Sequence, residues 1–208
     1  MASFKTSSVF AAALALAGVM ASEAHAETPP YVRVRAIAFA GSGCPAGTVA
    51  QNVSPDRQAF TLLFDSYIAQ VGPGIPFTEK RKNCQINVDL DFPNGWSYSL
   101  MTLDYRGYVA LEAGVAGLQQ SRYYFQGSAS TATLRSPMRG PLDQNYSIRD
   151  TLGLSALVWS PCGATRSLNI NSELRLDNSA APGRQGMLTN DSIDGSLKFI
   201  YGFRWNRC

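Results

Sequence analysis

The chain has 208 residues, with 18 Lys or Arg, 15 Asp or Glu and one His, for a formal charge of +3. That length fits one domain of ordinary size, able to bury roughly 70% of its unfolded surface, and the mild charge, without a dense basic run, excludes nucleic acid as an expected partner. The one histidine, His25, falls in a leader expected to be removed, which excludes Ser-His-Asp and Cys-His catalysis and the usual zinc sites from the rest of the chain.

Residues 1–26 read as a signal peptide. Lys5 gives a positive start, Val9–Ala21 is an apolar run, and Ala24-His25-Ala26 has the small-x-small form of a cleavage site. The run is shorter than the about 20 residues that span a bilayer. Cleavage after Ala26 leaves residues 27–208 as an exported domain, extracellular or, in a Gram-negative host, periplasmic. Lys5 and Glu23 leave together, so the charge stays at +3. No later segment is apolar enough to cross a membrane.

Beyond the leader the dominant period is two. A strand is expected over Val32–Phe39, followed by "GSGCPAG" at Gly41–Gly47. That stretch lacks the lysine of a P-loop and the pattern of a nucleophile elbow. It reads as a glycine-rich turn with a disulfide at its centre. Ala59–Tyr67 is a further strand, and "GPGIP" a turn. Over "CQINVDLDF", Cys84, Ile86, Val88, Leu90 and Phe92 face one way, and Gln85, Asn87, Asp89 and Asp91 the other. This is the signature of a half-buried strand. Asn94-Gly95 is a hairpin signal, after which "WSYSL" alternates again. Strands are expected over Met101–Leu111, Arg122–Gln126 and Tyr146–Trp159, with "SPMRGP" as a turn. "RSLNINSELRL" and "SLKFIYGFRW" resume the alternation, separated by the turn clusters "NSAAPGRQG" and "SIDGS". No helical stripe is convincing. The expected fold is an all-β, single-domain antiparallel β-sandwich stapled by two disulfides.

The four cysteines, Cys44, Cys84, Cys162 and Cys208, suit an oxidising compartment. They allow three pairings, of which we favour the sequential one, Cys44 with Cys84 and Cys162 with Cys208. No C-x-x-C pair supports a thiolate metal site.

Several separated motifs, among them "GSGCPAGTV", "RKNCQINVDLDFPNGW", "YRGYVALEAGVAG", "WSPCG" and "FRWNRC", together resemble the secreted family called domain of unknown function 4360. The resemblance runs from about Ile37 to Cys208. It implies a secreted, disulfide-bonded protein and supplies neither an activity nor catalytic residues.

Three residue sets remain as candidates for chemistry. Asp89, Asp91, Asp104 and Glu112 could supply the paired carboxylates, about 5–10 Å apart, of a glycosidase-like hydrolase. Asp177, Asn178, Asn190, Asp191 and Asp194 are oxygen donors in loops and weak calcium candidates, although such residues also populate ordinary turns. Trp96, Tyr98, Tyr105, Tyr108, Tyr123 and Tyr124 crowd mid-chain and could form a ligand face. Tyr123 and Tyr124 must point to opposite sides of a strand, and most of the six would otherwise fill the core. Asn52, Asn145 and Asn190 head N-x-S sequons, which matter only in a host that glycosylates by this rule. The expected protein is a monomer without a cofactor, a non-catalytic extracellular module that binds a glycan, surface or protein partner. The alternatives are a carboxylate-dependent hydrolase and a structural matrix protein.

Overall fold

The alternating stretches form strands in a computed structural model, which describes residues 29–31, 33–53, 59–151, 158–162, 166–190 and 197–208. The leader, and with it the expected cleavage site, lies outside the described residues, as do the "SIDGS" turn and part of the expected Tyr146–Trp159 strand. In chain order the strands are β1 (Arg33–Ala40), β2 (Val49–Val53), β3 (Ala59–Phe64), β4 (Ile68–Val71), β5 (Arg81–Asp91), β6 (Trp96–Leu111), β7 (Ala116–Phe125), β8 (Ala132–Arg139), β9 (Leu142–Thr151), β10 (Leu168–Asp177), β11 (Gly186–Thr189) and β12 (Leu197–Arg207). One 3-10 turn, Phe77–Lys80, precedes β5, and no α-helix occurs among the described residues. No helix there is long and apolar enough to cross a membrane.

Every pairing is antiparallel. A five-stranded sheet runs β1-β5-β10-β7-β8, and a seven-stranded sheet runs β2-β3-β12-β6-β11-β4, with β9 also on β6. The two sheets stack as a sandwich around one core. Ile86, Val88, Leu168, Ile170 and Phe125 of the first sheet are fully buried, as are Phe64, Tyr105, Val109 and Leu188 of the second. The sheets meet where the Tyr98 and Phe125 rings lie edge to face with centroids 5.0 Å apart. Tyr67, also buried, donates its hydroxyl to the Ser172 carbonyl oxygen at 2.8 Å. Each large apolar side chain sealed in this way contributes roughly 1.5–3 kcal/mol.

Both disulfides form, and they join Cys44 to Cys84 and Cys162 to Cys208. The Gly41–Gly47 loop is pinned against β5. Gly43 donates its N–H to the Asn83 carbonyl oxygen at 2.9 Å, beside Cys84. At the other staple, the Cys208 N–H donates to the Gly95 carbonyl oxygen at 2.9 Å. The Gly41–Gly47 loop is therefore a tethered turn.

Two local expectations are corrected. "WSYSL" and Met101–Leu111 are one 16-residue strand, β6. "SPMRGP" is not all turn, because Ser136–Arg139 complete β8. Proline is tolerated there because β8 is an edge strand and needs no further N–H donor. Short strands β2, β4 and β11 arise where no alternation is long enough to be read.

Candidate functional site

Four of the six candidate aromatics are core residues. Trp96, Tyr98, Tyr105 and Tyr123 are each 4% exposed or less. Tyr108 and Tyr124 reach the surface, but on different sheets, so the six do not make one face. The cause lies in β6. Its register against β12 skips Met101, since Gly202 pairs with Thr102 and Phe203 with Leu100. One extra residue reverses the parity of the strand. Trp96 and Tyr98 are buried before the bulge, and Tyr105, Val109 and Leu111 after it. Tyr108 is thereby turned outward, where it donates its hydroxyl to Asp143. That bond raises the Tyr108 pKa.

The four candidate carboxylates are dispersed. Asp89 and Asp91 sit side by side on the outer face of β5, both bridged to Arg35 at 3.6 Å. Asp104 is buried in β6, and Glu112 follows the end of that strand, about 26 Å further on by strand rise. Glu112 caps a turn, accepting the Gln185 N–H at 2.8 Å, with Arg184 at 3.9 Å. Of the calcium candidates, Asp191 and Asp194 lie outside the described residues. Asp177 accepts the Ser179 N–H at 2.9 Å, and this bond holds its carboxyl below the usual range. Asn178 donates to the Arg184 carbonyl oxygen at 3.2 Å, an ordinary turn contact. Asn190 is fully buried and takes the Tyr146 hydroxyl, which also donates to the Thr189 carbonyl oxygen. No group of three metal-ligating side chains occurs among the described residues.

The outer face of the five-stranded sheet carries a different arrangement. β5 and β10 pair so that Gln85 lies opposite Asn171 and Asn87 opposite Asn169. Their amides form a ladder. The Asn169 Oδ1 accepts from Asn87 Nδ2 at 3.2 Å and from Gln85 Nε2 at 3.4 Å, and Asn171 Nδ2 donates to Gln85 Oε1 at 2.9 Å. On the far side of β10, β7 brings Arg122 opposite Asn171 and Tyr124 opposite Asn169. Gln85, Asn171, Arg122, Tyr124 and Thr131 line an open cavity of ≈ 270 Å³. Arg122 makes no hydrogen bond or ion pair among the described residues, and the Asn171 Oδ1 accepts none. Each primary amide offers two donors and an acceptor, so the ladder orders these groups without exhausting them.

A larger groove of ≈ 420 Å³ crosses the seven-stranded sheet, with Val71, Ile75, Leu111, Leu142 and Met187 in its wall. Its two carboxylates, Glu112 and Asp143, are already engaged by Gln185 and Tyr108.

Sequence reading turned Gln85 and Asn87 outward and required one of Tyr123 and Tyr124 to face outward, but it missed the site. The outward amides of "QIN" and "NIN" are visible as alternations, yet nothing local says that the two stretches pair.

Residues 30–208 match the family described as Domain of unknown function (DUF4360). An "Uncharacterized secreted protein" of Arthroderma benhamiae is 46% identical over 184 residues, covering 88% of this chain and 75% of that protein. Like that relative, this chain is secreted. Two solved structures are distantly similar. One, described as TmCBM61 in complex with beta-1,4-galactotriose, has a TM-score of 0.24 at 12% identity, over 84% of this chain and 90% of that one. The other, the enzymatically active domain of Bacteriophage CBA120 tailspike protein 4, has a TM-score of 0.29 at 15% identity, over 80% of this chain and 19% of that one. Neither likeness is close enough to bear on the site.

Proposed function

We propose that this chain, which belongs to the DUF4360 family, is a non-catalytic extracellular module that holds a saccharide against the outer face of its five-stranded sheet. In this reading residues 1–26 are a cleaved leader and residues 27–208 are the exported module. The observation that carries the proposal is the cavity joining Tyr124, Arg122 and the Gln85–Asn171 amides. A sugar ring offers hydroxyl groups that both donate and accept, together with an apolar C–H face. Amides and a guanidinium match the first, and an aromatic ring matches the second. The ladder holds these amides in place before a ligand arrives, which lowers the ordering cost of binding.

The hydrolase reading has little geometric support. Asp89 and Asp91 share one arginine on one strand, and Asp104, within β6, lies far from Glu112, just past its end. A pair facing across a scissile bond is what that chemistry requires.

The test is a glycan array probed with residues 27–208, followed by titration of the best ligand. We expect Tyr124→Ala to abolish measurable binding and Asn171→Ala to weaken it by roughly threefold to tenfold, the value of one neutral hydrogen bond. An array with no saccharide bound, or a ligand indifferent to both substitutions, overturns the proposal.

A further inference from the structure

We infer that the saccharide is acidic, bearing carboxylate or sulfate groups, and that it lies along β7 and β8; this rests on the saccharide reading above. Charge is unevenly distributed along the chain. Between Glu112 and Asp143 the chain holds Arg122, Arg135 and Arg139 and no Asp, Glu or Lys. That stretch contains all of β7 and β8. On the other half of the same face, each carboxylate is already satisfied. Arg35 pairs with Asp89 and Asp91, and Arg81 donates through Nε to Glu173 at 2.8 Å. At the far end of β10, Asp177 caps its turn. The face is thus divided into a paired half and a cationic half.

The geometry of the cationic half suits a linear chain. Arg122 lies opposite Thr133, and Gln120 opposite Arg135, so the two arginines are diagonal neighbours, about 7–8 Å apart. Arg139 follows four residues later on β8, about 13 Å along the strand. Arg135 donates its Nε to Gln120 at 2.8 Å, which steadies the side chain, and among the described residues neither terminal nitrogen has a partner. Arg139 makes no ion pair among the described residues. β8 is the edge of its sheet, so a polymer running along it meets no further strand.

One acidic sugar then fits the cavity, with its ring against Tyr124 and its anionic group on the forked Arg122 guanidinium. Its hydroxyls donate to the Asn171 Oδ1. What favours a saccharide over an acidic peptide is the Tyr124 ring beside these polar groups, which suits the apolar C–H face of a sugar.

The experiment uses residues 27–208 and five polymers. Polygalacturonate carries carboxylates and dextran sulfate carries sulfates. Galactan and dextran are uncharged, and polyglutamate is acidic without sugar. We expect binding to an acidic polysaccharide that weakens as salt rises, with Arg122→Gln reducing affinity roughly tenfold to a hundredfold, as for a lost charged hydrogen bond. Arg139→Gln gives a smaller loss, and neither exposed substitution moves the thermal melt. Preference between the two acidic polysaccharides identifies the anionic group. Neutral galactan bound through Tyr124 and indifferent to Arg122→Gln overturns this inference and leaves the saccharide reading standing. No polysaccharide bound at all overturns both. Polyglutamate bound as tightly, through the same arginines, replaces the sugar with an acidic polypeptide.

Discussion

Gly43 is fixed by its neighbour. A β-carbon there would lie 2.2 Å from Cε2 of Tyr67. The ring cannot retreat, because it is buried and its hydroxyl is held by Ser172. Gly43→Ala should therefore cost about 1–3 kcal/mol, the usual penalty for overpacking, read as a fall in the melting temperature. The adjacent pair Tyr123 and Tyr124 separates fold from binding. Tyr123 is 1% exposed, and its replacement by alanine should cost roughly 3–5 kcal/mol. Tyr124→Ala should stay within about 1 kcal/mol in the same melt while removing the ligand. Two consecutive tyrosines on a strand must diverge, and the sequence alone says so. Which one turns inward depends on distant partners, Ser99 of β6 and the Val158 backbone, which bond the Tyr123 hydroxyl, and no local pattern reveals that.

At the level of elements, alternation made the long strands legible. β5 and β10 bury every second side chain almost as "CQINVDLDF" and "LNINSELRL" suggest. Buried and solvated residues alternate wherever one sheet face meets water, and that is a local consequence of pleating. Register is not local. The bulge in β6 comes from its match to β12, roughly a hundred residues later, and it decides that Tyr105 fills the core while Tyr108 does not. Deleting Met101 should restore one parity along β6 and drive half of its buried side chains outward. We expect no cooperative unfolding transition from that variant in circular dichroism. The staples act at the same scale. Each closes a loop of 40 or 46 residues, worth about 4 kcal/mol by chain entropy. Cys44→Ser should accordingly cost roughly 2–5 kcal/mol in denaturant titration without changing saccharide affinity, since the amide ladder is built from other contacts.

Across the whole molecule, the core is rich in tyrosine, and that sets its response to alkali. Burial raises Tyr67 and Tyr98 well above their ordinary value, and Tyr123 is pushed up to about 12 from 10.0. Between those values the unfolded chain has released protons that the fold still retains. Stability is thus fully present below pH 10 and falls as pH climbs towards 12. We expect phenolate absorbance from these rings to appear together with loss of circular dichroism above pH 10. Separate, earlier titration would place the rings in contact with water. The position of β12 has a different consequence, for manufacture. It follows every other strand in the chain, yet it lies between β3 and β6 in the middle of its sheet. A nascent polypeptide threading through an export channel can form the β2–β3 hairpin and β6 early, but each then waits with an open edge for a partner some 140 residues downstream of β3. Until residue 207 emerges, two adhesive borders face the lumen, so a stalled or prematurely cleaved chain should be a client of chaperones and an aggregation risk.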